Sequence, residues 1–220
     1  MVFVECSEPW TKSEPIADKR IRALRVDRFL KREFPKARIA LKYGTNIQLL
    51  VAVILSAQCT DKKVNEVTEK LFKKYKTAAD FASADSVEFE REVKPTGFYR
   101  NKAKNIIGAC KLIQEKFKSK LPKTMEEILT LPGVARKTAN VVLGNAYKIT
   151  EGIAVDTHMI RINQKLGFTA NSDPVKIEKD LMELIPRKDW FGYTYRIIEY
   201  GRKVCSARHK KCDCDIYKIR

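Results

Sequence analysis

Residues 131–158 read LPGVARKTANVVLGNAYKITEGIAVDTH. Pro132 and Gly133 stop one helical run, and apolar residues at helical spacing resume within three positions, so the stretch predicts two helices joined by a tight hairpin. The second helix runs from about 135 to 146. The first amides of a helix have no partner inside it and carry the positive end of its dipole. A short glycine-containing turn exposes those amides and suits them to phosphate. No Gly-x4-Gly-Lys-Ser/Thr occurs, so this is not a nucleotide phosphate loop. Taken alone, the turn is also an ordinary junction between helices.

Two residues of the stretch carry candidate chemistry. On a helical wheel Val134, Thr138, Val141, Val142 and Asn145 share one side, Lys137 lies at its edge and Arg136 points away. The wheel therefore predicts a solvated or phosphate-bound Arg136. It predicts a partly desolvated Lys137, whose amine would be freed for attack on carbon. The other reading of Lys137 is a lysine whose stem packs on the core while its head stays in water. Asp156 stands directly before THMIRINQKLG and is a good N-cap for that helix. A cap leaves one carboxylate oxygen over, and a carboxylate beside a glycosidic carbon stabilises a developing oxocarbenium ion.

Outward from this stretch the pattern stays helical. IADKRIRALRVDRFLKREF (16–34) spaces Ile21, Leu24, Val26 and Leu30 as an amphipathic helix. NIQLLVAVILSAQ (46–58) is apolar almost all round, with Asn46 as a candidate cap, and suits the centre of a helical domain. TDKKVNEVTEKLFKKY (60–75) puts Val64, Val67 and Leu71 on one face, and ADSVEFEREV (84–93) is stopped by Pro95 and Gly97. RNKAKNIIGACKLIQEKF (100–117) is helical through Ala103, Ile106, Ile107, Cys110 and Ile113. Thr124 and Glu127 form a capping box for 125–130, and PVKIEKDLMELI and YTYRIIEYGRK supply the last helices. No long alternating run or Asn-Gly hairpin appears, so the predicted class is all-α.

The 220 residues carry a net charge of +17, which draws polyanions, nucleic acid first among them, although a lysine-rich proteome would also raise it. No apolar run is long enough to span a membrane. The start, MVFVECSEPWTKSEP, lacks the pattern of a signal peptide, and an intracellular protein is expected. Of six cysteines, three are scattered (Cys6, Cys59, Cys110) and three are clustered (Cys205, Cys212, Cys214), which is no secreted disulfide framework.

LPGVARKTANVVLGNAY followed by IAVDTHMIRI resembles endonuclease III, a DNA repair glycosylase family of the helix-hairpin-helix superfamily. LLVAVILSAQCTDKKVNEVTEKLF and PTGFYRNKAKNIIGACKLI resemble the family's earlier helices, in order and spacing, so the similarity runs from about residue 25 to 212. The resemblance implies two helical lobes with a cleft between them. A six-helix, barrel-like lobe over 43–149 would hold the hairpin, and residues 1–42 and 150–220 would form the second lobe. It further implies a monomer acting on double-stranded DNA that carries an oxidised pyrimidine, with the damaged nucleotide flipped into the protein. Lys137 would attack C1′, expel the base and form a Schiff base, and β-elimination would cut the strand on the 3′ side. Asp156 would support the cationic sugar and help deprotonate Lys137. Gly133, Val134, Ala135 and Arg136 would hold backbone phosphate, Gln58 would fill the space left by the flipped base, and Phe98 would wedge the opposite bases.

The chain departs from that family in two places. The hairpin commonly reads LPGVG, whereas this chain has Ala135, whose methyl group would shift the phosphate approach if the position needs a positive φ and costs little within a helix start. Many relatives end in Cys-x6-Cys-x2-Cys-x5-Cys, which holds a [4Fe–4S] cluster. Here Cys205 and Cys212 keep the first spacing, Cys214 comes one residue early, Asp215 stands at the third ligand position and no fourth cysteine follows. The expectation from this spacing is a chain without cofactor or metal, the alternatives being three thiolates with an external ligand or a zinc ion assisted by His209. Two other functions compete: a relative with another lesion preference, and a non-catalytic DNA-binding relative. Retention of both Lys137 and Asp156 argues against the second.

Overall fold

A computed structural model describes residues 14–207 and 214–220; Cys6, His209 and Cys212 lie outside the described residues. Every regular element among the described residues is helical. In chain order these are α1 (Ile16–Glu33), α2 (Asn46–Leu55), α3 (Asp61–Lys74), α4 (Ala78–Ala82), α5 (Ser86–Val93) and α6 (Tyr99–Phe117). There follow α7 (Met125–Leu129), α8 (Arg136–Tyr147), α9 (Thr157–Lys165), α10 (Pro174–Leu184) and α11 (Trp190–Lys203), with 3₁₀ turns at Lys94–Thr96, Arg187–Asp189 and Asp215–Lys218. The chain divides into two compact units, Ile39–Glu151 and the pairing of the chain up to Arg38 with Gly152–Arg220.

In Ile39–Glu151 the centre is α2, nine of whose ten residues are buried. Burial on all sides explains why NIQLLVAVIL has no polar face, since helices pack around it instead of water. Its cap is Thr45, whose side chain accepts from the Gln48 amide, and not Asn46 as the sequence suggests. Gln48 is buried without penalty: its Oε1 accepts from the Gly44 amide at 2.9 Å and its Nε2 donates to the Tyr75 carbonyl at 3.3 Å. Tyr75, Phe81 and Phe89 form an aromatic cluster that joins α4 and α5 to the end of α3. Cys110 is a core thiol of α6, its pKa pushed up to about 12 by burial.

In the other unit α1 packs on α10 and α11, and α9 packs on α11. The buried face of α1 is Arg22, Ala23, Val26, Asp27 and Leu30, while Ile21 and Leu24 are exposed. The face is thus rotated from the apolar stripe read in the sequence, because two charged residues on it find partners. Asp27 receives Arg196 and Lys31, both at 2.7 Å, and Arg22 donates to the Leu166 carbonyl and stacks over Phe168. Gly201 lets α11 approach α9 closely, since a Cβ there would lie 2.5 Å from His158 Nδ1. That approach holds α9, and with it the backbone next to Asp156, in place.

Candidate active site

The hairpin joins α7 to α8 and rests on α6. Gly133 has φ +77°, and a Cβ on it would lie 2.8 Å from Asn105 Cβ. Glycine is required here twice over, for the left-handed backbone and for the approach to α6. One turn along α6, Gly108 faces Pro132, where an added Cβ would meet the proline ring at 3.5 Å. Leu131 and Val134 are buried beneath the turn, and the Val134 amide donates to the Leu131 carbonyl at 3.1 Å. Ala135 is extended, with φ −93° and ψ 170°, so its methyl group causes no strain and the departure from LPGVG is structurally silent.

Ala135 is also the N-cap of α8, and it makes no side-chain cap hydrogen bond. The amides and the dipole of a helix start without a side-chain cap favour an anion. Lys137 stands one residue into this first turn and is exposed, whereas Arg136 is half-buried. This corrects the wheel. The buried residues of α8 are Ala139, Asn140, Val142, Leu143 and Gly144, and Arg136 precedes Ala139, Asn140 and Leu143 by three, four and seven positions, on the same stripe. The desolvation argument for Lys137 therefore does not hold in the free protein; what the fold gives its amine is access.

Asp156 caps α9: its Oδ1 accepts from the Met159 amide at 2.8 Å. The residue is half-buried. No described residue engages Oδ2. The cap holds the carboxylate through one oxygen.

Gln58 and Phe98 lie in two turns of the Ile39–Glu151 unit. Both are exposed and both have left-handed backbones, φ +53° and +49°. For residues with a Cβ that conformation costs about 1–2 kcal/mol each. Gln58 is in the tight turn between α2 and α3, and Phe98 is the N-cap of α6 with its ring 65% exposed. Phe98 is therefore no core aromatic. Exposed side chains held on strained backbones are commoner at functional sites than elsewhere.

Sequence reasoning passed over Lys102, on α6. It is 4% exposed, and its Nζ donates to the Leu55 carbonyl at 2.8 Å and to the Thr96 carbonyl at 2.7 Å. Burial lowers its pKa. The available signal was its spacing: Lys102 falls in register with Ile106, Ala109 and Ile113 on the buried face of α6.

Comparison with known proteins decides the family. Residues 51–187 match the model of the HhH-GPD superfamily of base excision DNA repair proteins. The chain belongs to that superfamily. It is 52% identical to endonuclease III of Synechocystis sp. over 202 residues, covering 91% of this chain and 92% of the relative. It is 42% identical to endonuclease III of Bacillus subtilis over 188 residues, covering 84% and 85%. A solved structure of a trapped endonuclease III–DNA covalent intermediate superposes with a TM-score of 0.86 at 38% identity, covering 91% of this chain and 94% of that one. Among the described residues the fold is all-helical, and the chain is a base excision repair DNA glycosylase and AP lyase with DNA as its partner. No helix among the described residues is long and apolar enough to cross a membrane.

The same relatives overturn the expectation of a chain without cofactor. Endonuclease III proteins are known [4Fe–4S] proteins, so the displaced third cysteine does not support that conclusion. Spacing within one segment was too narrow a test, because ligands reach a cluster through folding as well as through sequence. The described residues fit such a group in part. Cys205 is buried, with Arg161 donating to its Sγ at 3.3 Å and the Tyr217 hydroxyl 3.1 Å away, and Cys214 is half-buried. No set of three metal-binding side chains comes together among the described residues.

Proposed function

We propose that this enzyme removes oxidised pyrimidines from double-stranded DNA and then cuts the strand by β-elimination through a Schiff base on Lys137. The observation that carries the reading is the open first turn of α8, with an exposed lysine one residue beyond a glycine hairpin that needs its positive φ. Gly133, Val134, Ala135 and Arg136 take a backbone phosphate, and the net charge of +17 brings the duplex to the protein. Phosphate held there places the sugar of a flipped nucleotide by Lys137. The amine attacks C1′ as the glycosidic bond to the base breaks. Loss of the ring oxygen from C1′ gives the Schiff base, and elimination across C2′–C3′ releases the 3′ phosphate.

Asp156 supplies the negative charge that stabilises the developing sugar cation, and it takes the proton that Lys137 must lose before attack. Gln58 occupies the gap left in the stack and Phe98 separates the facing bases, so that strand opening is compensated by new contacts. In this reading Lys137, the hairpin and both inserted side chains lie in the lobe over 43–149, and Asp156 lies in the lobe formed by 1–42 and 150–220. The enzyme works as a monomer, inside the cell.

Duplexes that each carry one defined lesion test the substrate class. Thymine glycol and other ring-oxidised pyrimidines should be excised and the strand cut with a 3′ unsaturated aldehyde. Preferential excision of an oxidised or alkylated purine would assign the enzyme to another lesion class, and intact strands with abasic sites would remove the lyase step.

A further inference from the structure

Lys102 poses a problem of energetics. It is a buried cation near the N-terminal end of its own helix, where the dipole disfavours positive charge. Both its hydrogen-bond partners are backbone carbonyls, and no carboxylate among the described residues pairs with it. A methionine or leucine would fill the same space without desolvating a charge, and a well-packed apolar residue is commonly the more stable choice at such a site. Stability of the core alone therefore does not account for a lysine here.

The placement of its partners does. Leu55 is the last residue of α2, three positions before Gln58, and its carbonyl lies at the negative end of that helix. Thr96 closes the 3₁₀ turn two positions before Phe98, and its Oγ1 donates to the Val93 carbonyl at 2.8 Å. The Lys102 amide donates to the Phe98 carbonyl at 3.1 Å, so one residue is bonded to both sides of the second turn. We propose that Lys102 is a positioning residue that fastens the Gln58 turn to the Phe98 turn and sets the spacing at which the two side chains enter the duplex. The inference rests on the insertion roles given above to Gln58 and Phe98. A single bridge between two strained turns also explains how both left-handed residues stay exposed instead of relaxing into the core.

The full-length enzyme and four variants, Lys102→Met, Lys102→Arg, Gln58→Ala and Phe98→Ala, separate the possibilities. Two rates are measured, single-turnover excision of thymine glycol from a duplex and cleavage of a single-stranded abasic oligonucleotide, which has no opposite strand to separate. Melting is followed by circular dichroism. Lys102→Met should lose about 10–100-fold on the duplex, the size expected when inserted groups shift by about an ångström, and keep its single-strand rate. Lys102→Arg keeps the charge and the donors but carries a larger head group, so it should show a smaller loss of the same kind, and it carries the comparison if the methionine variant does not fold. Equal losses on both substrates, or no loss on the duplex, would overturn the positioning role. If Gln58→Ala and Phe98→Ala both excise from the duplex at the normal rate, the insertion reading fails first, and the role of Lys102 with it.

Discussion

The first turn of α8 has no side chain closing it, whereas that of α9 is closed by Asp156. Both turns bring a candidate catalytic residue to the start of a helix, and both follow a buried apolar segment that fixes the backbone, Leu131 and Val134 in one case and Ile153, Ala154 and Val155 in the other. The contrast lies in how each deals with the amides that every helix leaves open. At α8 no N-cap side chain takes them, and the positive residues Arg136 and Lys137 stand beside them. At α9 one of them, the Met159 amide, is taken by the Asp156 carboxylate through a single oxygen. An open start suits a site that must take up and release an anion. A closed start suits a group that must not move during the reaction.

Asp156 provides the largest test of this contrast. Asparagine caps as well as aspartate does but brings no charge, so Asp156→Asn should melt near the normal temperature and lose about 10²-fold or more in single-turnover excision. Asp156→Ala should show the same loss of rate together with a loss of about 1 kcal/mol in stability. If the asparagine variant excises normally, Asp156 is a cap only, and the two turns differ less than argued here. The next effect is expected at Gly133. A Cβ there meets Asn105 at 2.8 Å on a backbone at φ +77°, so Gly133→Ala should lose about 1–2 kcal/mol of stability and weaken duplex binding, by thermal melting and fluorescence anisotropy. The smallest is Ala135→Asp, which would close the α8 start as Asp156 closes that of α9. A gain of about 1 kcal/mol in stability should accompany weaker binding to DNA, as the new carboxylate takes the amides and repels phosphate. Tighter binding in that variant would break the contrast.

What the sequence made legible was local. The stop at Pro132–Gly133, the cap at Asp156 and the capping residue Thr124 depend on neighbours a few positions away, and the structure places them as helix ends. What it left hidden depends on partners distant in the chain. The buried face of α1 turned away from Ile21 and Leu24 because Asp27 meets Arg196, 169 residues on. Lys137 and Arg136 exchanged their expected exposures because the stripe of α8 is set by the buried α2 against which it packs. Ala135 was open between a strained position and a harmless helix start; the left-handed position is Gly133, and only backbone angles distinguish the two. Lys102 was passed over among many lysines, because its carbonyl partners, Leu55 at the end of α2 and Thr96 in a 3₁₀ turn, are set by the fold. The C-terminal cysteines misled in the opposite direction, since their spacing argued against a cofactor that the relatives are known to carry.

The central claim is that the residue in the open turn of α8 is the nucleophile. Borohydride reduction during turnover of an abasic-site or thymine glycol duplex, followed by proteolysis and mass spectrometry of the adduct, tests it most directly. The account expects a single sugar adduct on Lys137, and none with Lys137→Ala, which should still bind the duplex. An adduct on another lysine or on the terminal amine, or undiminished trapping by Lys137→Ala, would contradict it.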